Sequence, residues 1–337
     1  MLKHSLVVTA ALLAMASNAS AADTLKIRVA DAFPTSHVIS VAGAKFWMDR
    51  VTAQVGGKVT FEYYPAQQLG KAPDFLRLLQ SGVVDVAYVA PAYVTDKMPL
   101  SDVAMLPGMF KDVCTGSKAY WTLATTGVLA SAEYRPNGSV PLFAAAMPPY
   151  QIVSTRHPIA ALADLKGLKI RSSGGSSDLT IRALGAVPVK ITGPETREGL
   201  DRGTLDANLG PHSSLKSYDI YPLVKFGTIG APLGSFIVTY SMEQRKWKSL
   251  SPDIRTAFEK AGQETNEHLC KALEEENTAA IGDMTKLGAK FYTVSDEDRA
   301  NFMQETAKID QEWAQGINDR KKPGSQALAE FKRAIGQ

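Results

Sequence analysis

The chain predicts two α/β lobes, joined by crossing strands and braced by one long helix, and three observations carry that prediction. From Thr24 to Pro211, apolar patterns of period two alternate with helical patterns across short connections, the grammar of parallel or mixed sheets flanked by helices. This grammar runs twice without an internal repeat, and 337 residues suffice for two cores. A helical stretch then extends from about Ile254 to about Leu287, on the order of 50 Å at the rise of an α-helix, longer than one small lobe is wide.

In order, LKIRVAD (Leu25 to Asp31) reads as a strand, FPTSH (Phe33 to His37) as a loop, and Val38 to Val55 as a helix stopped by Gly56-Gly57. Lys58 to Pro65 is a strand, Ala72 to Gly82 a helix and Val83 to Pro91 a third strand, which completes a βαβαβ unit. Val140 to Pro149 leaves this lobe and Gln151 to Arg156 enters the next. There, a strand ending at Arg171 precedes a helix around Leu179 to Leu184, capped by Ser177 or Asp178. Val187 to Thr192 is a strand, Gly193 to Gly203 a helix with Pro and Glu in its first turn, and Thr204 to Pro211 a strand. Phe236 to Ser241 returns as a strand to the first lobe. Ser251-Pro252-Asp253 starts the long helix, and amphipathic segments at Asp296 to Asp319 and Ser325 to Ile335 follow. The expected division is 23–147 plus about 236–275 for lobe I, 148–235 plus about 276–310 for lobe II, and a helical tail at 311–337.

Residues 1–22 have the form of a secretory signal: Lys3 and His4, an apolar run from Leu6 to Ala16, and Ala19-Ser20-Ala21 with cleavage near Ala21 or Ala22. The run is too short to span a bilayer, so the expectation is an exported, periplasmic protein. A net charge of +3, with no basic run longer than Arg320-Lys321-Lys322, argues against nucleic acid as a partner. Cys114 and Cys270 would enter an oxidising compartment, and sequence leaves a bridge and two buried thiols both open. No Cys/His spacing fits a metal, no phosphate loop is present, and no cofactor or metal is expected. A secreted hydrolase is disfavoured as well: GGSSD (Gly174 to Asp178) lacks the Gly-x-Ser-x-Gly elbow, and Glu274-Glu275-Glu276 reads as a solvated helix face.

The sharpest local signal is DLKGLKIR (Asp164 to Arg171) followed by SSGGSSD (Ser172 to Asp178). Alternation brings Arg171 to the carboxyl end of a strand, where open α/β sheets bind ligands. Its guanidinium is a rigid fork that matches a carboxylate. On spacing alone, a surface arginine at a sheet edge is the favoured reading.

A family likeness adds to this. QQLGKAPDFLRLLQSGVVDVAYVAP (Gln67 to Pro91), MPL (Met98 to Leu100), LPGMF (Leu106 to Phe110), PIAALADLKGLKIR (Pro158 to Arg171), ALGAVPVKI (Ala183 to Ile191) and WKSLSPDIRTAFEKA (Trp247 to Ala261) resemble the periplasmic solute-binding proteins of TRAP transporters, the DctP-like family. The resemblance covers nearly the whole mature chain. It implies a venus-flytrap receptor with a hinge-spanning helix, which closes on a small organic acid and delivers it to TRAP membrane permease subunits. It implies no catalysis, and a monomer is the default. It also makes Arg171 the carboxylate anchor.

Two positions depart from the commoner family pattern. Tyr150 stands where many members carry a second arginine, and Leu209-Gly210-Pro211 where many have Glu-Asn-Pro, which points to a monocarboxylate with an aromatic or branched body. Further ligand candidates are Phe33 and His37 after the first strand, Gln68 after the second, Tyr88 and Tyr93 around the third, Asn208 and His212 at the second-lobe rim, and Phe236 beside the returning strand. The same two-lobed architecture would also serve an ABC importer or a sensor kinase.

Overall fold

A computed structural model describes residues 24–337; the expected signal segment lies outside the described residues. The first sheet has the order β2-β1-β3-β10-β4, from β1 (Leu25–Ala30), β2 (Val59–Tyr64), β3 (Val86–Val89), β4 (Ser139–Ala146) and β10 (Ile237–Glu243). β1, β2 and β3 run parallel, while β10 comes from late in the chain and pairs antiparallel with β3 and β4. The second sheet has the order β11-β9-β5-β8-β6-β7, from β5 (Gln151–Ser154), β6 (Lys169–Ser172), β7 (Val187–Lys190), β8 (Ala207–Gly210), β9 (Phe226–Ile229) and β11 (Lys290–Thr293).

The helices of the first lobe are α1 (Phe46–Val55), entered through a π-helical turn at Ile39–Lys45, α2 (Phe75–Gln80) and α3 (Val113–Thr125). The second lobe contributes α4 (Ser176–Ala183) and α5 (Thr196–Asp201). α6 (Gln244–Ser249) leads into α7 (Pro252–Lys286), whose 35 residues pack against α1, α3 and β4 and against the turn at His212–Ser214. It therefore braces both lobes. Gly262 makes its approach to β4 possible, since a Cβ there would stand 2.0 Å from the Leu142 carbonyl oxygen. The Cys114–Cys270 pair is bridged and ties α3 to α7, which settles the alternative that sequence left open.

Several elements differ from the sequence reading. α3, β9 and β11 were not foreseen. The segment Asp296 to Asp319 is two helices, α8 (Asp296–Thr306) and α9 (Ile309–Asp319), and α10 (Gly324–Ala334) folds back on α9 and α3. The helix after Arg171 begins at Ser176, earlier than expected. Its N-cap is Gly175, at φ 59°, and neither Ser177 nor Asp178 caps it. The first-turn backbone is instead served from the other lobe: Ser176 N–H donates to Asp102 Oδ2 at 2.7 Å.

Candidate ligand-binding cavity

Two strand crossovers connect the lobes, one at 147–150 and one at 230–236. They are bonded to each other: Met147 N–H donates to the Phe236 carbonyl and Tyr150 N–H to the Gly234 carbonyl, each at 2.8 Å. Gly234 is at φ 99°, and a Cβ there would meet the Met105 carbonyl oxygen at 2.5 Å, so this crossover accepts only glycine. Between the lobes the crossovers and the ends of β3, β6 and β8 line a small cavity of about 40 Å³.

Arg171, on β6, forms the floor of this cavity and is 4% exposed. Its Nε–H donates to the Ile191 carbonyl at 2.9 Å, Nη1 to the Leu209 carbonyl at 3.1 Å, and Nη2 to the Tyr93 hydroxyl at 3.3 Å. A guanidinium has five N–H donors, so one hydrogen on each terminal nitrogen is left over. Among the described residues, no carboxylate forms an ion pair with it. Burial opposes its charge, but the hydroxyls of Tyr93 and Tyr150 outweigh this and its pKa is raised, so the group is a buried cation. Buried charges are ordinarily paired. Burial also pushes the hydroxyls of Tyr88, Tyr150 and Tyr218 upward, so these three are neutral.

The first lobe's wall is set by Asp31, a residue that no motif singled out. Its Oδ1 accepts from Phe33 N–H at 2.9 Å, and its Oδ2 from Ser40 Oγ at 2.8 Å and Tyr63 Oη at 2.6 Å, which fixes the loop after β1. Phe33 faces the cavity and stacks at 4.0 Å on His37. His37 Nδ1 accepts from Ile39 N–H, so its Nε2–H donates to Ser214 Oγ at 3.0 Å across the lobes. Burial lowers its pKa to about 3, and the imidazole is neutral. Tyr93 also bridges the lobes, since its hydroxyl accepts from Gly193 N–H at 2.9 Å as well as from Arg171.

Of the residues singled out in sequence, Phe33, Tyr88, Tyr93, Tyr150, Arg171, Asn208 and Phe236 surround the cavity. Tyr150 and Phe236, both on the crossovers, are stacked with centroids 6.5 Å apart. Three others lie elsewhere. His37 supports Phe33 from behind. Gln68 is exposed, because the left-handed turn at Ala66 and Gln67 directs it to solvent. His212 is buried against Phe291 with Nε2 donating to the Thr228 carbonyl, because the 3₁₀ turn that points Ser214 at the cavity turns His212 away. Tyr218, Met147 and Thr196 line the cavity without having been foreseen. They lie in irregular backbone or a first helical turn, where no periodicity assigns a direction.

Comparison with known proteins agrees with this architecture. Residues 31–316 match the profile of the bacterial extracellular solute-binding proteins, family 7 (DctP). The C4-dicarboxylate-binding periplasmic protein DctP of Rhodobacter capsulatus is 27% identical over 316 residues, 90% of each chain. The 2,3-diketo-L-gulonate-binding periplasmic protein YiaO of Escherichia coli is 24% identical over 87% of each. Among solved structures, a TRAP solute-binding protein of Rhodoferax ferrireducens in complex with copurified benzoate superposes with a TM-score of 0.86 at 25% identity, covering 93% of this chain and 98% of that one. A Bordetella bronchiseptica TRAP periplasmic solute-binding protein with bound (R)- and (S)-mandelate gives 0.83 at 23%, over 92% and 98%. The two sheets, the paired crossovers, the bracing helix and a profile match spanning nearly all of the described chain lead to one assignment: this protein belongs to family 7 of the bacterial extracellular solute-binding proteins, the DctP family, whose members are TRAP receptors for organic acids.

Proposed function

We propose that this chain is the exported, periplasmic receptor of a TRAP transporter, that it captures an aromatic monocarboxylate between its lobes, and that it presents the ligand as a monomer to the membrane permease subunits. One observation carries the reading: the buried Arg171 guanidinium has no carboxylate partner among the described residues and keeps two N–H groups for one. Among the described residues Arg171 is also the only charged one lining the cavity, so a second carboxylate would enter without a counter-charge. Phe33, Tyr88 and Phe236 supply flat apolar surface to an aromatic body. Benzoate and mandelate in two structural neighbours agree with that class.

Closure follows from where the walls originate. Phe33, Tyr88 and Tyr93 belong to the first lobe, Arg171 and Tyr218 to the second, so a ligand that touches both favours the closed state over the open one. The one pairing of a cavity hydroxyl with a histidine among the described residues, Ser214 with His37, offers no base, because His37 Nδ1 accepts from Ile39 N–H and the ring presents its Nε2–H to Ser214. The test is a thermal-shift panel on the purified protein. Benzoate, phenylacetate and their hydroxylated relatives are expected to raise the melting temperature, and succinate is not. Stabilisation by succinate and by none of the aromatic acids would reject the ligand class.

A further inference from the structure

Asn208 is 4% exposed and its side chain lines the cavity, yet among the described residues its amide makes no hydrogen bond. The amide is not sealed in the interior: it faces the cavity with its donors and its acceptor open to whatever enters. Asn208 is in register with Arg171 on the adjacent parallel strand, so both side chains leave the same face of the sheet about 4.8 Å apart at the backbone. The Tyr218 hydroxyl, from a residue that lines the same cavity, is also without a protein partner among the described residues, and burial keeps it neutral. Both groups occupy space that two glycines leave free. A Cβ at Gly210 would lie 3.1 Å from Asn208 Nδ2, and one at Gly193 would lie 3.2 Å from the Tyr218 hydroxyl.

Resting on the function proposed above, we infer that Asn208 and Tyr218 form a second polar subsite that receives a neutral hydroxyl or carbonyl oxygen of the ligand. The preferred ligand is therefore an oxygenated aromatic monocarboxylate, with the parent acid a weaker guest. The amide can donate to such an oxygen through Nδ2 and accept from a hydroxyl through Oδ1. The Tyr218 hydroxyl can do either. A second carboxylate is unsuited to this place, because no further cation among the described residues lines the cavity. Sites built to bond a hydroxyl discriminate strongly against the analogue lacking it, because their own polar groups are then left unpaired.

The experiment is calorimetric titration of wild type, Asn208→Leu and Tyr218→Phe with benzoate, its three monohydroxy isomers, phenylacetate and mandelate. Circular dichroism and melting curves verify that each variant is folded. In wild type, at least one hydroxylated acid is expected to bind about tenfold or more tighter than its parent. Asn208→Leu should remove that preference while leaving parent affinity within about threefold, and Tyr218→Phe should reduce it in part. Two results overturn the subsite: parent acids bind wild type as tightly as every hydroxylated isomer, or Asn208→Leu weakens parent and hydroxylated acids equally, which would make Asn208 a carboxylate donor. If Asn208→Leu does not fold, Tyr218→Phe together with the wild-type ranking still decides. Failure of every acid to bind wild type is a separate outcome that rejects the receptor reading itself and this inference with it.

Discussion

Replacing Arg171 by alanine is expected to abolish ligand recognition while changing the ligand-free fold little. Three hydrogen bonds disappear, and the carbonyls of Ile191 and Leu209 lose a buried donor, at about 1–3 kcal/mol for each group left unsatisfied. Against that, the substitution removes a buried cation that has no carboxylate partner among the described residues, relieving a desolvation penalty of several kcal/mol. The two effects are of similar size, so the ligand-free variant should stay within about 2 kcal/mol of wild type.

Binding has no such compensation. Truncating one partner of a buried charge pair costs about 2–5 kcal/mol, roughly one and a half to three and a half decades in dissociation constant. At a ligand concentration of 100 times the wild-type constant, wild type gains about 2.7 kcal/mol. A variant binding a hundredfold more weakly gains about 0.4 kcal/mol at the same concentration. With an unfolding entropy of about 2.1 cal/mol/K per residue, these become melting shifts of about 4 °C and under about 1 °C for a chain of this length. Differential scanning fluorimetry reads the shifts and titration calorimetry the constants. Wild-type affinity in the alanine variant would refute the anchor. A collapse of the ligand-free melting temperature by more than about 10 °C would instead show that the guanidinium holds the fold.

Three further outcomes are expected. Replacing both Cys114 and Cys270 by serine releases α3 from α7 across a separation of 156 residues and should cost about 2–4 kcal/mol of stability with ligand affinity unchanged; an altered affinity would show that the bridge shapes the cavity. His37→Phe keeps a ring beside Phe33 but removes the bond to Ser214 that joins the lobes. Affinity should fall by a factor of about 2–10, the worth of one net hydrogen bond, whereas an unchanged constant would mean that this bond does not favour closure. Burial raises the pKa of Asp102 to about 7 against the bonds from Ser176, from an ordinary value of 3.8. Between those values the folded state holds a proton that the unfolded state releases, so this group's contribution declines as pH rises from about 4 to about 7. Burial depresses His37 to about 3 and His212 to about 4 from 6.5, with the opposite sign: their contribution is lost as pH falls below about 6.5. Melting curves from pH 4 to 8 should show wild type losing stability relative to Asp102→Asn as pH rises; a parallel profile would mean that Asp102 titrates normally.

The sequence by itself determined the elements whose patterns are local. The alternation in β1 and β6 and the Gly56-Gly57 stop are periodicities or backbone requirements readable from a few neighbours. The start of the long helix at Ser251-Pro252-Asp253 is another. Arg171 was legible in position because strand alternation carries it to the end of β6. That it is buried and without a carboxylate partner was not, since this depends on Tyr93 and the Ile191 and Leu209 carbonyls arriving from elsewhere. The helix α3, with its weakly amphipathic, glycine-containing sequence, and the four-residue strands β9 and β11 lacked a local signal strong enough to stand out.

Only the tertiary structure decided which of two nearby polar groups faces the ligand. Ser214 points to the cavity and His212 into the second lobe because a 3₁₀ turn rotates them apart, and Gln68 points outward because two residues before it take left-handed backbone angles. Asp102 serves a helix N-terminus 74 residues away, and Cys114 meets Cys270 because α7 crosses α3. Periodicity specifies a face of an element. Which partner covers that face is a property of packing between elements distant in the chain, and the cavity between two lobes consists almost entirely of such pairs.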